Sequence, residues 1–426
     1  MTVRDTTTPA AAALREHAAT VAAELADALA MPPDVDYGDD VRPDSPRWRD
    51  QSLSKGAAGV AVLHGLRAQH GLGGTEAMQA WLARATRDDL TAGPGAGLWF
   101  GAPAVAFALH LAAPGRHQGA LARLDAAVAQ LVHTRLTAAA ERMDAALRPS
   151  QYEFDVTRGL AGLGAYLLKR DLGGDLLRRV LAYMVRLTRP LPADDAAGRR
   201  APGWWTADIP TGSRDSSFAH GHANLGMAHG ITGPLALLAL AMREGITVDG
   251  HAEAIETISL HLDVWRQPSV AGPWWPERIT LDELEDGRPH REGPARPSWC
   301  YGTPGIARAQ QLAALALGDT ARQQAAENAL AFCLADPIQL ARITDPALCH
   351  GWAGIVATAW HTAADATTPG LNHSLNRLLV RLLDHARDTA PDQAPGLIEG
   401  SAGTALTLHS IATGTTGGWP TCLLIN

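Results

Sequence analysis

Apolar residues recur along the chain at helical spacing, and pairs of glycines punctuate them. Near the N-terminus Ala12, Ala13, Leu14, Ala18, Val21, Ala22, Leu25 and Leu29 follow a three-to-four-residue period, which predicts a helix within residues 1–30. A Pro/Asp-rich loop follows over 31–50. After it one pattern keeps returning: a polar or aromatic residue, G-x-[small]-G, then an apolar run. It reads Lys55-Gly56-Ala57-Ala58-Gly59, Arg158-Gly159-Leu160-Ala161-Gly162, His229-Gly230-Ile231-Thr232-Gly233 and Tyr301-Gly302-Thr303-Pro304-Gly305. His350-Gly351-Trp352-Ala353-Gly354 and Glu399-Gly400-Ser401-Ala402-Gly403 continue it, and Phe100-Gly101-Ala102-Pro103-Ala104 fits with Ala in place of the second Gly. These seven copies start 45 to 72 residues apart.

The flanks give the glycine pairs their meaning. Runs such as Val60-Ala61-Val62-Leu63 and Pro234-Leu235-Ala236-Leu237-Leu238 follow the motif. Between copies lie apolar stripes such as Leu177, Val180, Leu181, Met184 and Leu187, one face of a helix. Strand-like alternation is scarce. The pattern predicts seven helical hairpins, which either extend as a solenoid or close into a ring. In a closed ring one helix of each pair lies inside, with the glycine motif at its start. The residues before the first Gly then converge on a central pit: Lys55, Phe100, Arg158, His229, Tyr301, His350 and Glu399, with Cys300 and Cys349 one step further back. The positive ends of the helix dipoles would favour thiolate or enolate charge there.

Composition narrows the partners. With 46% apolar residues in 426, the chain can bury a sizeable core. A net charge of -8 and the lack of a Lys/Arg run argue against a nucleic-acid partner. Four cysteines do not make a disulfide framework in so long a chain, so a reducing cytoplasm is the expected location. Met1-Thr2-Val3-Arg4-Asp5 shows no apolar h-region, so secretion is not expected. No apolar run reaches the ~18 residues of a membrane span. Two connections, 188–224 and 266–298, are longer than repetition requires, and loops this long are usually functional or carry added elements. Their tryptophan pairs, Trp204-Trp205 and Trp274-Trp275, read either as a peptide-contacting rim or as packing beneath the loops.

Candidate chemistry sits in the motifs. Cys300, Cys349 and His350 are ligands of the kind zinc prefers. Catalytic zinc keeps three protein ligands and an open position, and neither motif carries a fourth; a closed site with a distant fourth ligand is the alternative. His229 precedes its Gly as His350 does, which makes it an acid–base candidate for the same pit or else a cap or core residue. His220 and His222 have H-x-H spacing but lie outside the motifs. Cys333 and Cys422 read as a buried thiol and a C-terminal packing residue.

The chain resembles the lanthionine synthetase C-like family over roughly residues 50–426. The resemblance rests on Asn224-Leu225-Gly226-Met227-Ala228-His229-Gly230-Ile231-Thr232-Gly233-Pro234, Trp299-Cys300-Tyr301-Gly302, Cys349-His350-Gly351 and Glu399-Gly400-Ser401-Ala402-Gly403. It implies an all-α fold, an α/α toroid of seven helical hairpins, in agreement with the repeat count. The expected organisation is an N-terminal helix and loop over 1–50 leading into a toroid domain over 51–426. The resemblance also implies one Zn2+ per chain, held by Cys300, Cys349 and His350, in a lanthipeptide cyclase. Such an enzyme adds peptide Cys thiols to dehydroalanine or dehydrobutyrine and forms thioether rings. His229 then has an acid–base role. Asp155 either orients a catalytic group or caps the third inner helix. Arg296 either stabilises enolate charge or makes a surface salt bridge, and Tyr301 either donates to the enolate or packs. Ala104 and Glu399 depart from the family pattern without touching the zinc set. The implied partners are a dehydrated precursor peptide and a separate dehydratase and transporter complex, with the chain cytoplasmic at the periphery of that membrane-associated assembly. A relative that adds glutathione or another small thiol, a non-catalytic peptide-binding scaffold, and an α/α-barrel glycosidase using Glu399 and Asp155 are the competing readings.

Overall fold

The structure, a computed structural model, describes residues 9–34, 49–170, 174–191, 201–210, 216–368, 370–387 and 395–426. Most of the loop expected over 31–50 lies outside them. The predicted N-terminal helix is α1, Pro9–Ala28. Each glycine motif is followed, within two residues of its first Gly, by a helix. These are α2 (Ala57–Gln69), α4 (Ala102–Ala112), α7 (Leu160–Arg170), α9 (Thr232–Arg243), α12 (Thr303–Leu317), α15 (Trp352–Asp365) and α17 (Ser401–Thr413). Between them run α3 (Glu76–Ala85), α5 (Gln118–Asp144), α8 (Asp175–Leu187), α10 (His251–Val264), α13 (Thr320–Ala335) and α16 (Gly370–Arg387). Short helices α6 (Gln151–Phe154), α11 (Leu281–Asp286) and α14 (Pro337–Leu340) complete the set among the described residues.

The two kinds of helix differ in composition and therefore in burial. In α9 every residue from Thr232 to Ala241 is buried, as expected of a helix that is small and apolar all round. In α10 the buried positions are one stripe, His251, Ala254, Ile255, Ile258, Ser259 and Leu262. The motif helices are thus core, and the intervening helices cover them with one face.

The chain forms two compact units, Met1–Val128 with Ile343–Asp365 and Pro369–Pro420, and Ala129–Arg342 with Ala366–Thr368 and Thr421–Asn426. In the first, α2 packs on α3 and α4, α15 on α16, and α17 on α1. The N-terminal helix therefore serves as the outer partner of the last motif helix. In the second, α7 packs on α8, α9 on α10 and α12, and α12 on α13.

The second Gly of the motif has a common cause in five copies. A Cβ at Gly59, Gly233, Gly305, Gly354 or Gly403 would run into the backbone carbonyl six residues earlier, on Leu53, Met227, Trp299, Leu348 or Leu397. The loop before each helix folds back over the helix's first turn, and only a residue without a side chain permits that approach. Successive motif loops are also tied by their main chains. In the second unit Val156 N donates to Ala228 O at 3.0 Å and Met227 N to Cys300 O at 2.9 Å. In the first, Leu53 N donates to Trp99 O at 3.1 Å, Cys349 N to Ile398 O at 2.8 Å and Ile398 N to Ser54 O at 3.0 Å.

The two long connections contribute a feature that the alternation did not announce. β1 (His222–Asn224) and β2 (Arg278–Thr280) pair antiparallel, with Asn224 opposite Arg278 and His222 opposite Thr280. Trp204, Trp205, Trp274 and Trp275 are all buried, so they pack beneath these connections and do not form a rim. Trp275 Nε1 donates to Leu262 O at 2.7 Å. Residues 192–200 and 211–215 of the first connection lie outside the described residues. No helix among the described residues is long and apolar enough to cross a membrane.

Candidate active site

In the second unit a histidine and a carboxylate meet at the starts of two motif helices. His229 Nδ1 lies 2.8 Å from Asp155 Oδ2. A carboxylate only accepts, so Nδ1 carries the proton and Nε2 is left as the basic nitrogen. Asp155 is fully buried, and the His229 side chain is about one-third exposed, at 32%. The other acceptors of Asp155 are spent on its own loop: Oδ1 takes the Arg158 and Gly159 amides at 2.7 Å each, and Thr157 Oγ1 donates to Oδ2 at 2.8 Å. One side chain thus caps the turn ahead of α7 and fixes the tautomer of His229.

The next motif lies alongside. The Tyr301 ring centroid is 6.4 Å from that of His229. Asn224 Nδ2 donates to the Tyr301 hydroxyl at 3.0 Å and Arg278 Nη2 at 2.8 Å, and the Arg278 guanidinium sits 4.7 Å above the ring. Burial pushes the phenol up to about 12, against the opposing pull of Arg278, so it stays protonated at ordinary pH. Cys300 is buried with its Sγ 3.4 Å from Ser298 Oγ, and its carbonyl accepts from Met227 N. Arg158 is exposed and stacks 4.8 Å over Tyr152, whose ring meets His229 edge-on at 6.4 Å. Arg296 is half-buried four residues before Cys300.

In the first unit Cys349 and His350 stand at the start of α15, both half-buried. The His350 Nε2 to Asp345 Oδ2 distance is 3.7 Å, and Asp345 Oδ1 takes the Ala347 amide at 2.9 Å. The equivalent positions Lys55 and Glu399 pair at 2.6 Å. All four cysteines are outside disulfides. Burial pushes the Cys333 thiol up to about 12 and raises Cys422 further, so both are inert packing thiols. His222 is buried on β1 with its pKa lowered to about 4 by burial and by the Arg278 charge, while His220 is exposed.

Sequence reasoning missed Arg278. It sits in a Trp/Pro-rich connection with no period to place it, and its only local signal is the short run Arg278-Ile279-Thr280. Asn224, by contrast, opens the motif that runs to Pro234, and its contact with Tyr301 needed the fold to appear.

Fold and site together define a class: a helical-hairpin protein whose inner-helix starts carry an oriented His–Asp couple, a tyrosine clamped by donors, and cysteines outside disulfides. Residues 47–424 match the lanthionine synthetase C-like protein family, and the chain belongs to that family. It is 25% identical over 207 residues to the nisin biosynthesis protein NisC of Lactococcus lactis subsp. lactis, an alignment covering 48% of each chain. The chain thus spans about half the length of that curated relative. The solved structure of nisin cyclase is similar with a TM-score of 0.71 at 18% identity, over 89% of this chain and 93% of that one. That likeness is one of fold, and it bears out the all-α, α/α-toroid expectation.

Proposed function

We propose that the chain is a zinc-dependent lanthipeptide cyclase. The observation that carries this reading is the 2.8 Å His229–Asp155 contact beside Tyr301 and Cys300, within a chain of this family. The substrate is a dehydrated precursor peptide, and the reaction joins a Cys sulfur to the β-carbon of dehydroalanine or dehydrobutyrine. The S–H bond and the α,β C=C π bond break, a β-C–S and an α-C–H bond form, and mass is unchanged. The name of the relative, a nisin biosynthesis protein, favours a peptide over glutathione or another small thiol. The dehydratase and transporter complex are further proposed partners, and the cytoplasm the proposed location.

Cys300, Cys349 and His350 fit zinc by donor chemistry, since each offers one ligand atom, two sulfurs and a ring nitrogen. When bound, zinc would supply a Lewis acid that lowers the pKa of a substrate thiol. The chain's own groups do the rest. His229 Nε2, freed by the Nδ1 contact to Asp155, accepts the thiol proton and returns a proton to the α-carbon. Asp155 stabilises the imidazolium between those two transfers. Tyr301 donates to the substrate carbonyl oxygen as charge builds on it, and Arg296 adds positive charge on the same segment.

The test is a dehydrated peptide incubated with the protein, alkylated, and weighed. Ring closure removes free thiols, so the count of alkylations falls faster than in a no-enzyme control. A thiol count that follows the control would overturn the reading.

A further inference from the structure

We infer that Arg278 is a positioning residue, which together with Asn224 fixes the Tyr301 hydroxyl as a hydrogen-bond donor aimed at negative charge on the bound peptide. The inference rests on the cyclase reading above for what receives that hydrogen bond; the clamp itself rests on geometry alone.

The direction of each hydrogen bond follows from what the groups can do. Arg278 has only donors, so Nη2 at 2.8 Å must give its hydrogen to the Tyr301 oxygen. The orientation of the Asn224 amide is set by its other contacts. Its Oδ1 accepts from Gly226 N at 2.9 Å, and its Nδ2 donates to Gln151 Oε1 at 3.1 Å. The second Nδ2 hydrogen then goes to Tyr301 at 3.0 Å. With both acceptor positions of the phenol oxygen filled, its O–H is left to donate elsewhere.

The ring cannot escape this arrangement. The Arg278 guanidinium lies on one face, 4.7 Å from the centroid. Gly226 lies so close that a Cβ there would come within 2.5 Å of Tyr301 Cε1. Asn224 and Arg278 face each other across the β1–β2 ladder, so both donors leave the same sheet face in fixed register. That sheet is built from the two long connections, one strand from each. Its service is to hold one phenol oxygen.

The experiment has two arms. In protein labelled at tyrosine Cζ, the resonance among the five tyrosines that is missing from Tyr301→Phe belongs to Tyr301. It should move in Arg278→Met, because a hydrogen bond to that oxygen is lost, and in Arg278→Lys, which keeps charge but not the planar guanidinium that both lies over the ring and donates to its oxygen. An unmoved resonance in both variants would overturn the clamp. In the thiol-alkylation assay kcat should fall roughly 10- to 100-fold in Arg278→Met with KM little changed. The same substitution made in Tyr301→Phe should cost nothing further, since the hydroxyl it positions is already gone. An independent, multiplicative loss in the double variant, or a change in KM alone, would show that Arg278 does not act through Tyr301. If the wild-type protein closes no rings, the cyclase reading fails, and the tyrosine resonance alone decides whether Arg278 fixes Tyr301.

Discussion

Replacing Asp155 by Asn separates the two jobs of that buried carboxylate. Asn keeps an oxygen that can accept the Arg158 and Gly159 amides, now at 2.7 Å each, so the turn before α7 survives. The new NH2 faces Thr157 Oγ1 and His229 Nδ1, which lie 2.8 Å from Oδ2 in the wild-type protein. A donor there forces Nδ1 to accept, which puts the ring proton on Nε2 and removes the base. We expect cyclisation to fall by about 10²–10⁴, equivalent to ~3–5 kcal/mol of barrier. Stability should fall by only about 1 kcal/mol, the difference between a charged and a neutral acceptor. Asp155→Ala should lose comparable activity and also strand two backbone donors, at roughly 1–3 kcal/mol each. The assay pairs thiol alkylation of a dehydrated peptide with urea unfolding of the same preparations. Asp155→Asn closing rings at the wild-type rate would refute the tautomer reasoning. Equal instability of Asn and Ala would refute the division of labour between the two oxygens.

Cys300→Ala, Cys349→Ala and His350→Ala should each lose bound zinc in elemental analysis while keeping the helical circular dichroism of the wild type; full retention in all three would sink the ligand assignment. His229→Ala should retain zinc and peptide binding but lose cyclisation by about 10²–10⁴. Gly403→Ala should destabilise by about 1–3 kcal/mol in urea titration, because its Cβ would overlap the Leu397 carbonyl. Below neutrality, burial holds His222, His261 and His409 near pKa 4, beneath the unfolded value of 6.5. The unfolded chain therefore takes up protons first, and stability should fall as pH drops from about 6.5 to about 4 and then level off. A Tm series on chelator-treated protein checks this, and a flat Tm across that window would contradict it.

The inner helices were legible because a strong local constraint marks five of the seven. The motif needs a residue without a side chain where the loop crosses the helix's first turn, and that need leaves Gly at fixed spacing, as at Gly305 and Gly354. The partner of α17 was not legible: nothing in the spacing of Ala12 to Leu29 says that the first helix packs on the last. Three-residue strands such as His222–Asn224 are too short for a period-two pattern, so their pairing, and with it the place of Arg278, emerges only from the fold. The dual use of Asp155 was half visible. Its position before α7 announced a cap and the family resemblance an orienting role, while the partner of that second role, a residue 74 positions away, emerged only from the fold.

The main-chain ties between successive motif loops have an evolutionary consequence. Bonds such as Val156 N to Ala228 O and Met227 N to Cys300 O use no side chain. The residue standing just before each first Gly is therefore free to change without loosening the frame that holds it. Lysine, phenylalanine, arginine, histidine, tyrosine and glutamate all occupy that one position in different copies. The repeat works as a row of equivalent sockets, and a new chemistry can be tried by changing a single plug.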